Sequence, residues 1–178
     1  EKIEEIILKL RSYAYLEYCT DQLNNDKAKF YQKIEESVLD CQKDIIFYGI
    51  ELNKLTDTKT SVFSETKYKN WIKNHKKFKK FQKPENIEKI LAEKSLTSSS
   101  AWVRFFDQLM TRLKFRINGK VFSETEVLNL LSSHNKVERK NAAEAFGKTL
   151  KENIFNFSFI MNTISKDLDI EKNVRGFE

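Results

Sequence analysis

The stretch from residue 101 to residue 122 reads AWVRFFDQLMTRLKFRINGKVF, and the spacing of its apolar side chains changes near its middle. In the first half they recur every three or four residues, as one face of an α-helix requires: Trp102, Phe105, Phe106, Leu109, Met110 and Leu113. In the second half, short runs of strand formers flank Asn118-Gly119, a pair that tolerates the positive φ angles of a type I′ turn. The stretch therefore predicts a helix followed by a small β-hairpin at Phe115–Phe122.

The sequence before this stretch predicts four more helices. A long second helix runs from about Lys27 to Leu55, and Gly49 inside it leaves room for another helix to approach closely. A short fourth helix begins at Pro84, whose fixed φ suits a first helical turn. The hydroxyls of Thr97–Ser100 can cap the helix of the opening stretch. Helical spacing marks the apolar faces of the first and third helices: Ile3, Ile6, Ile7 and Leu10, then Tyr68, Trp71 and Ile72.

Two helix starts follow the hairpin. Ser123 and Glu126 have the spacing of a capping box, in which each residue bonds the backbone N–H of the other. Asn135 and Glu138 repeat that spacing and open a long helix that is expected to reach about Leu168. The expected order is five helices, one hairpin and two helices, which is a mainly α lobe of about seven helices.

The composition is that of a globular helical chain. Of 178 residues, 40% are hydrophobic and 33% are charged, and four glycines and one proline leave few breaks for helices. No apolar run approaches the ~20 residues that span a bilayer, and no signal peptide is visible, so no membrane partner is expected. Because the sequence begins at Glu1 rather than Met and ends just beyond a helix, we expect it to be a segment of a longer protein.

Cys19 and Cys41 are the only cysteines. They fall on two consecutive antiparallel helices, and a turn near Asn24-Asn25 would keep them more than a helical turn apart. A disulfide needs Cα atoms within about 7 Å. We therefore expect two buried free thiols, which suits a reducing cytoplasm.

The positive charge is concentrated in one basic run, Lys67–Lys83, which holds eight lysines and no acid. Without these lysines the net charge changes from +6 to −2, so the rest of the chain is nearly neutral. Lysines neutralise phosphates and aromatic rings stack on bases, which leaves a binder of nucleic acid or an anionic surface as an alternative. On a helix, however, Tyr68, Trp71 and Ile72 share one side as a core face, and the lysines form a solvated outer face. Nucleic acid is therefore not expected as a partner.

No group of residues predicts a catalytic, cofactor-binding or metal site, and none is assigned. His75 and His134 are far apart, and because neither stands in His-Glu-x-x-His, both are expected to be solvated. The Ser98–Ser100 run lacks the Gly-x-Ser-x-Gly elbow of a nucleophile and is expected to cap a helix. The glycines are scattered, which excludes a phosphate-binding loop. Adjacent carboxylates such as Glu4-Glu5 diverge on a helix and are expected to be solvated.

The segment Ala101–Asp107, Ala-Trp-Val-Arg-Phe-Phe-Asp, resembles the Ala-Trp-x-Arg-hydrophobic-Phe-Asp segment of the oligoendopeptidase F family. Several motifs after it keep the order found in that family: Leu113-Lys114-Phe115, the hairpin, Glu126-Val127-Leu128-Asn129-Leu130-Leu131, Arg139-Lys140-Asn141-Ala142-Ala143 and Arg175-Gly176-Phe177. Upstream, Leu10-Arg11-Ser12-Tyr13-Ala14 is similar to the family's N-terminal helical region. The motifs that keep both order and spacing lie between Ser100 and Phe177.

The resemblance implies the N-terminal, non-catalytic lobe of a zinc-dependent metalloendopeptidase that hydrolyses short peptides in the cytoplasm. In such enzymes a His-Glu-x-x-His helix supplies zinc ligands and a general base, and the zinc activates water. That motif lies C-terminal to the matched region and is absent here. The segment is thus expected to bind no zinc, to be inactive alone and to form one wall of the substrate channel opposite the missing C-terminal catalytic domain. The expected parts are residues 1–96, a helical hairpin with short helices, and residues 97–178, the lobe region with the β-hairpin.

The residues alone also leave a different class of protein open, a freestanding helical interaction domain. A lobe separated from its other half should expose a sizeable apolar patch, whereas a freestanding domain should not. The aromatic face of residues 102–113 would be core in one case, and half of an interface in the other.

Overall fold

The computed structural model describes residues 2–63 and 65–177. Its described residues are mainly helical, with one two-stranded antiparallel sheet, which confirms the predicted mainly α fold. The 3-10 turns Ser61–Phe63 and Lys79–Phe81 lie on either side of the helix Lys69–Lys77. The elements are, in chain order, α1 (Lys2–Thr20), α2 (Asn25–Lys54), α3 (Asp57–Thr60), α4 (Lys69–Lys77), α5 (Glu85–Ser95), α6 (Ser99–Arg112), β1 (Phe115–Ile117), β2 (Lys120–Phe122), α7 (Glu124–Leu131), α8 (Lys136–Glu152) and α9 (Ile154–Arg175).

Helices α1 and α2 form an antiparallel pair. The side chain of Asn24 caps α2 by accepting hydrogen bonds from two backbone N–H groups of its first turn, at 2.9 and 3.2 Å. Across the pair, the buried ring of Tyr18 stacks on Tyr31 with 5.3 Å between ring centroids. Farther from the turn, the Arg11 guanidinium donates twice to the Glu35 carboxylate, at 2.8 and 2.9 Å. Stacking and ion pair together fix the register of the two helices.

The main buried cluster lies where α6, the hairpin, α7 and α8 meet. Phe115 is fully buried, and its ring stacks on Phe146 of α8 at 5.3 Å. Asn118 and Gly119 turn the chain with φ angles of 50° and 80°, as predicted, and β2 returns with Phe122 opposite Phe115. The fully or nearly fully buried members of the cluster are Met110, Leu113, Phe115, Val127 and Ala142.

The two predicted helix starts after the hairpin are both present. Ser123 and Glu126 form the predicted capping box, and the hydrogen bonds to Ser123 hold the pKa of Glu126 below its ordinary value. Asn135 caps α8 by accepting from a first-turn N–H at 2.9 Å. Its predicted partner in the capping box, Glu138, instead accepts from the hydroxyl of Ser133. The predicted bond from Glu138 back to the Asn135 backbone is therefore wrong.

The prediction of one long helix after Asn135 is wrong, because the segment is divided at Asn153 into α8 and α9. The backbone of Asn153 has φ −105° and ψ 13°, and its side-chain amide donates to the carbonyl of Thr149 at 3.0 Å. An Asn side chain that bonds nearby backbone competes with the helical ladder. Apolar periodicity is unaffected by such a local competition, so it gave no sign of the break.

The end of α9 is tied back to the start of α5. Arg175 donates to both carboxylate oxygens of Glu88, at 3.0 and 3.1 Å. Gly176 ends the helix in the left-handed region with φ 77°, a conformation that glycine adopts without strain. The ring of Phe177 then lies 4.2 Å from that of Phe81. These contacts join the two parts predicted from the sequence, residues 1–96 and 97–178. The boundary between those parts stays a prediction.

Helix α4 packs against α2 at Gly49, as predicted. The Nε2 atom of His75 lies 3.1 Å from the carbonyl oxygen of Gly49, and the His75 ring stacks on Trp71 at 5.4 Å. His75 is therefore half-buried, and the prediction of a solvated imidazole is wrong. In the predicted core face of this helix, Ile72 is buried, but Trp71 and Tyr68 are exposed.

Two further local predictions are corrected. Cys19 and Cys41 are free, as predicted, but exposed rather than buried. Cys19 follows the buried Tyr18 by one residue, which turns it about 100° away from the packed face of α1. Ser98 precedes α6 as its N-cap residue but makes no side-chain cap, because its φ of −99° and ψ of −117° are not the extended backbone of a capping residue.

Replacing each helical glycine by alanine tests the contact at Gly49. Gly147→Ala in α8 should raise the free energy of unfolding by roughly 0.5–1 kcal/mol, because alanine loses less backbone entropy in a helix. No atom lies within 4 Å of a Cβ added there. Gly49→Ala should raise the free energy of unfolding by less, or lower it, because the new Cβ would lie 3.1 Å from Cε1 of His75. Urea unfolding followed by circular dichroism measures both.

The double variant Gly49→Ala/His75→Ala is the control. Compared with His75→Ala alone, the double variant should have a free energy of unfolding that is higher by the full amount expected for alanine in a helix, because the His75 ring no longer obstructs the new Cβ. Equal gains from the two single glycine variants would contradict the close contact.

Candidate functional site

Four aromatic side chains on α6 and α9 form a connected surface, called the aromatic patch: Trp102, Phe105, Phe155 and Phe159. The Trp102 ring centroid lies 6.1 Å from that of Phe105 and 5.4 Å from that of Phe159. The Phe159 and Phe155 centroids are 6.4 Å apart. The two rings from each helix are three or four residues apart, a spacing that places them on the same helix face.

The aromatic patch is open to solvent. The exposed fraction is 77% for Phe155, 52% for Phe159 and 45% for Phe105. At about 150–250 Å² per aromatic side chain, these three rings alone expose on the order of 300 Å². A contiguous apolar patch of that size is often a functional surface.

Helix α9 is apolar on more than one side. Ile160 is buried and Phe157 is half-buried against Phe106 of α6. Further apolar residues of the same helix are exposed: Ile154, Met161, Leu168 and Ile170. A helix that is hydrophobic around much of its circumference is typical of the interior of a larger protein. Helix α1 also exposes apolar side chains, on several sides: Ile3, Ile6, Leu8 and Leu16.

The aromatic face of α6 is core at one end and surface at the other. Met110 and Leu113 join the buried cluster around Phe115, whereas Phe105 and Phe106 are exposed. The prediction of a core face therefore holds at the hairpin end of α6, and the alternative of an interface stays a prediction for the other end.

A pocket of about 230 Å³ opens between α1, α2 and α6. Tyr18 contributes a hydroxyl that is buried and has no hydrogen-bond partner among the described residues. Burial raises the pKa of Tyr18, and the nearby Gln108 amide offsets part of that rise without reaching hydrogen-bond geometry. The side chains that give the pocket its chemistry are Tyr18, Tyr31, Gln32, Arg104, Phe105 and Gln108.

Arg104 is the positive charge of this pocket. It is half-buried and makes no ion pair or hydrogen bond with the described residues. Its charge favours the phenolate form of its neighbours and so acts to lower the pKa of Tyr18 and Tyr31, whereas burial raises both. Sequence reasoning missed this pocket, because Tyr18, Tyr31 and Arg104 come from three different helices.

The basic run Lys67–Lys83 is mostly the solvated face that was predicted, but Lys76 and Lys83 are half-buried. Lys76 is half-buried and bonds three oxygens that hold α3 in place: the Leu55 carbonyl at 3.2 Å, Asp57 Oδ1 at 2.7 Å and Thr60 Oγ1 at 2.9 Å. The hydrogen bond from Lys76 lowers the pKa of Asp57. Other lysines of the run are exposed: Lys73, Lys77, Lys79 and Lys80.

No metal centre is formed by residues 2–63 and 65–177. In that part of the chain no three His, Cys, Asp or Glu side chains come together as ligands. His75 contacts Gly49 and Trp71, and His134 is exposed. The same residues include no helix with both the length and the apolar character needed to cross a membrane.

Comparison with known proteins first defines the class. The crystal structure of oligoendopeptidase-F from Enterococcus faecium matches 99% of this chain with a TM-score of 0.81 and 17% sequence identity. The chain thus has the fold of part of an oligoendopeptidase F. It covers 36% of that chain's length. No curated protein matches the sequence significantly.

The sequence match then gives the family. Residues 51–115 match the family model described as Oligopeptidase F, which represents the N-terminal region of these peptidases. The fold match and the family match over residues 51–115 together confirm the resemblance to the oligoendopeptidase F family that was seen in the sequence. The matched range ends at Phe115 and includes the Ala101–Asp107 segment.

Lys76→Met tests the structural role of this lysine, with Lys77→Met as the matched control. Lys76→Met should lower the melting temperature, because the Leu55 carbonyl and the α3 side chains lose their donor. Among the described residues Lys77 bonds only Asn74, at 3.0 Å and within its own helix, so its replacement should have little effect. Thermal unfolding followed by circular dichroism measures both.

The pH dependence has a defined sign. Because the pKa of Asp57 is lowered in the folded chain, its bond to Lys76 stabilises fully above the ordinary value of 3.8 and is lost as the pH falls through the lowered value. The difference in melting temperature between wild type and Lys76→Met should stay constant from pH 7 to pH 5. It should narrow below pH 3.8. A difference that widens in acid would contradict this assignment.

Proposed function

We propose that this chain is the non-catalytic N-terminal lobe of a zinc-dependent metalloendopeptidase that hydrolyses short peptides, and that it forms one wall of the substrate channel. The exposed aromatic patch carries the proposal, because it is the surface that a lobe separated from its other half should expose. The fold match supports it, since the chain spans 36% of a solved oligoendopeptidase-F.

The zinc of such an enzyme does not fit the residues described here. Zinc sites use three or four His, Cys, Asp or Glu ligands, and no such group forms in residues 2–63 and 65–177. The proposal therefore assigns zinc, the general base and the peptide-cleaving step to a C-terminal domain outside this sequence. The role left to this chain is to shape and cover the channel.

The occupant of the aromatic patch in this proposal is the C-terminal remainder of the same polypeptide. The patch is apolar, and the free, exposed Cys19 and Cys41 are compatible with a reducing cytoplasm, where we place the enzyme. A freestanding interaction domain is the competing function. That alternative would also use an exposed apolar patch, so the two functions differ in whether the remainder of the parent protein covers Phe155 and Phe159.

The chain alone should have no peptidase activity. We expect no cleavage of quenched fluorescent peptides by the pure chain, and zinc analysis should find less than stoichiometric metal. The parent protein should cleave the same peptides and lose that activity to a zinc chelator. Cleavage by the pure chain that a chelator abolishes would overturn the proposal.

The cover over the aromatic patch can be tested by thiol labelling in a Cys19→Ser/Cys41→Ser background, which removes the two exposed native thiols. The thiol introduced by Phe155→Cys should react quickly with a maleimide in the chain alone. In the parent protein it should react at least about tenfold more slowly, because burial at an interface excludes the reagent.

Phe78→Cys is the matched control, because Phe78 is also an exposed phenylalanine and belongs to neither α6 nor α9. Its labelling rate should be the same in both proteins. Equal rates for Phe155→Cys in the two proteins would show that the remainder of the parent does not cover the patch. Labelling of the chain alone that slows with rising protein concentration would identify a second copy as the occupant instead.

A further inference from the structure

The pocket between α1, α2 and α6 has no role in the proposed channel function, and it meets the aromatic patch only at Phe105. We propose that this pocket binds a small monocarboxylate through Arg104, with an apolar side chain of the ligand against Phe105 and Tyr31. The ligand chemistry is that of an amino acid with a free carboxylate, either alone or at the C-terminal end of a peptide. The argument rests on the pocket's own groups and does not require peptidase activity.

Arg104 supplies the anion-binding group. Its guanidinium is half-buried at the pocket and has no carboxylate partner among the described residues. The other half-buried arginines on helices do have partners: Arg11 pairs with Glu35, Arg175 pairs with Glu88, and Arg139 donates to the backbone carbonyls of Ser133 and His134. The planar guanidinium fork matches a carboxylate with two parallel hydrogen bonds. The partly buried guanidinium of Arg104, which has no carboxylate partner, is therefore the main indication that this pocket binds an anionic ligand.

Tyr18 supplies a second polar group that the fold itself leaves unused. Its side chain is 1% exposed, and its hydroxyl has no hydrogen-bond partner in the described residues. Buried hydroxyls nearly always have a partner. Because this hydroxyl presents less than 1 Å² to solvent, a carboxylate oxygen held by Arg104 can accept its hydrogen bond only after the side chains around Tyr18 shift. The side-chain amides of Gln32 and Gln108 line the same space and can donate as well.

The surrounding charges favour a single negative charge on the ligand. Glu35 is near Tyr31 and Asp107 is near Tyr18, and both carboxylates raise the pKa of those phenols. Glu35 is already neutralised by Arg11. One unpaired guanidinium, with Asp107 near Tyr18, suits a monoanion better than the dianion of a phosphate group.

The walls and the volume set the size of the ligand. About 230 Å³ is room for on the order of seven waters, which is close to one amino-acid residue and below the ~300 Å³ of typical drug-sized sites. Phe105 and Tyr31 give the pocket aromatic walls, and Ala28 and Ala101 leave the space between the helices open. An aromatic or branched apolar side chain beside the carboxylate therefore fits.

The test uses the whole 178-residue chain and a pair of probes that differ only in charge. N-acetylphenylalanine has the free carboxylate, and N-acetylphenylalaninamide is its neutral counterpart. Titration followed by protein NMR should show binding of the acid. The amide should bind at least about tenfold more weakly, because it cannot form the charge-assisted bonds.

Three variants assign the polar groups, with circular dichroism confirming that each folds. Arg104→Gln should weaken binding of the acid by about tenfold or more, and Arg104→Lys by less, since it keeps the charge but loses the fork. Tyr18→Phe keeps the buried ring and should weaken binding several-fold through loss of one hydrogen bond. Arg116→Gln is the control, because Arg116 is exposed on β1, and it should bind like wild type.

Three outcomes would contradict carboxylate binding at this pocket. Equal binding of acid and amide, unchanged binding in both Arg104 variants, or no binding of the acid by the folded chain at millimolar concentration would each overturn the proposal. Comparison of free phenylalanine with Ala-Ala-Phe then identifies the source of the carboxylate. Tighter binding of the tripeptide supports a peptide end, and tighter binding of phenylalanine supports a free amino acid.

Discussion

The burial of Phe115 is the constraint on which the C-terminal half of the structure depends. An aromatic ring from a three-residue strand becomes fully buried only if the chain reverses at once, and Asn118-Gly119 provides that reversal with two positive φ angles. The ring then stacks on Phe146 and fixes α8 against the hairpin. Since α6 leads directly into β1, the same contact also fixes the direction in which α6 points away from the core.

That direction explains why one helix has two environments. The end of α6 nearest the hairpin buries Met110 in the cluster around Phe115, whereas its start carries Trp102 and Phe105 out to meet α9. Among residues 2–63 and 65–177, no element buries Phe155, which remains 77% exposed. The aromatic patch is thus the continuation of an internal core past the point where this sequence supplies packing partners, and its exposure costs free energy until something covers it.

Features encoded by a few neighbouring residues were predicted well from the sequence. The Asn-Gly turn and the Ser123–Glu126 capping box are local chemistry, and both formed as predicted. The break at Asn153 was missed because a side chain competing for one backbone carbonyl leaves apolar spacing unchanged. The exposure of Cys41 and the pocket at Arg104 were missed for a different reason, because both depend on which helices meet. Periodicity identifies a packed face but not its partner.

Phe105 connects the two surfaces of interest, since it lines the pocket and also contacts Trp102 in the aromatic patch. A cover that reaches Phe105 would therefore rest against one wall of the pocket. A ligand that orders the Phe105 ring changes the surface offered to that cover, and the cover in turn changes the affinity for the ligand by the same factor, because binding linkage is reciprocal. Coupling of this kind requires no movement of α6, only a shared side chain with fewer conformations once either neighbour is bound.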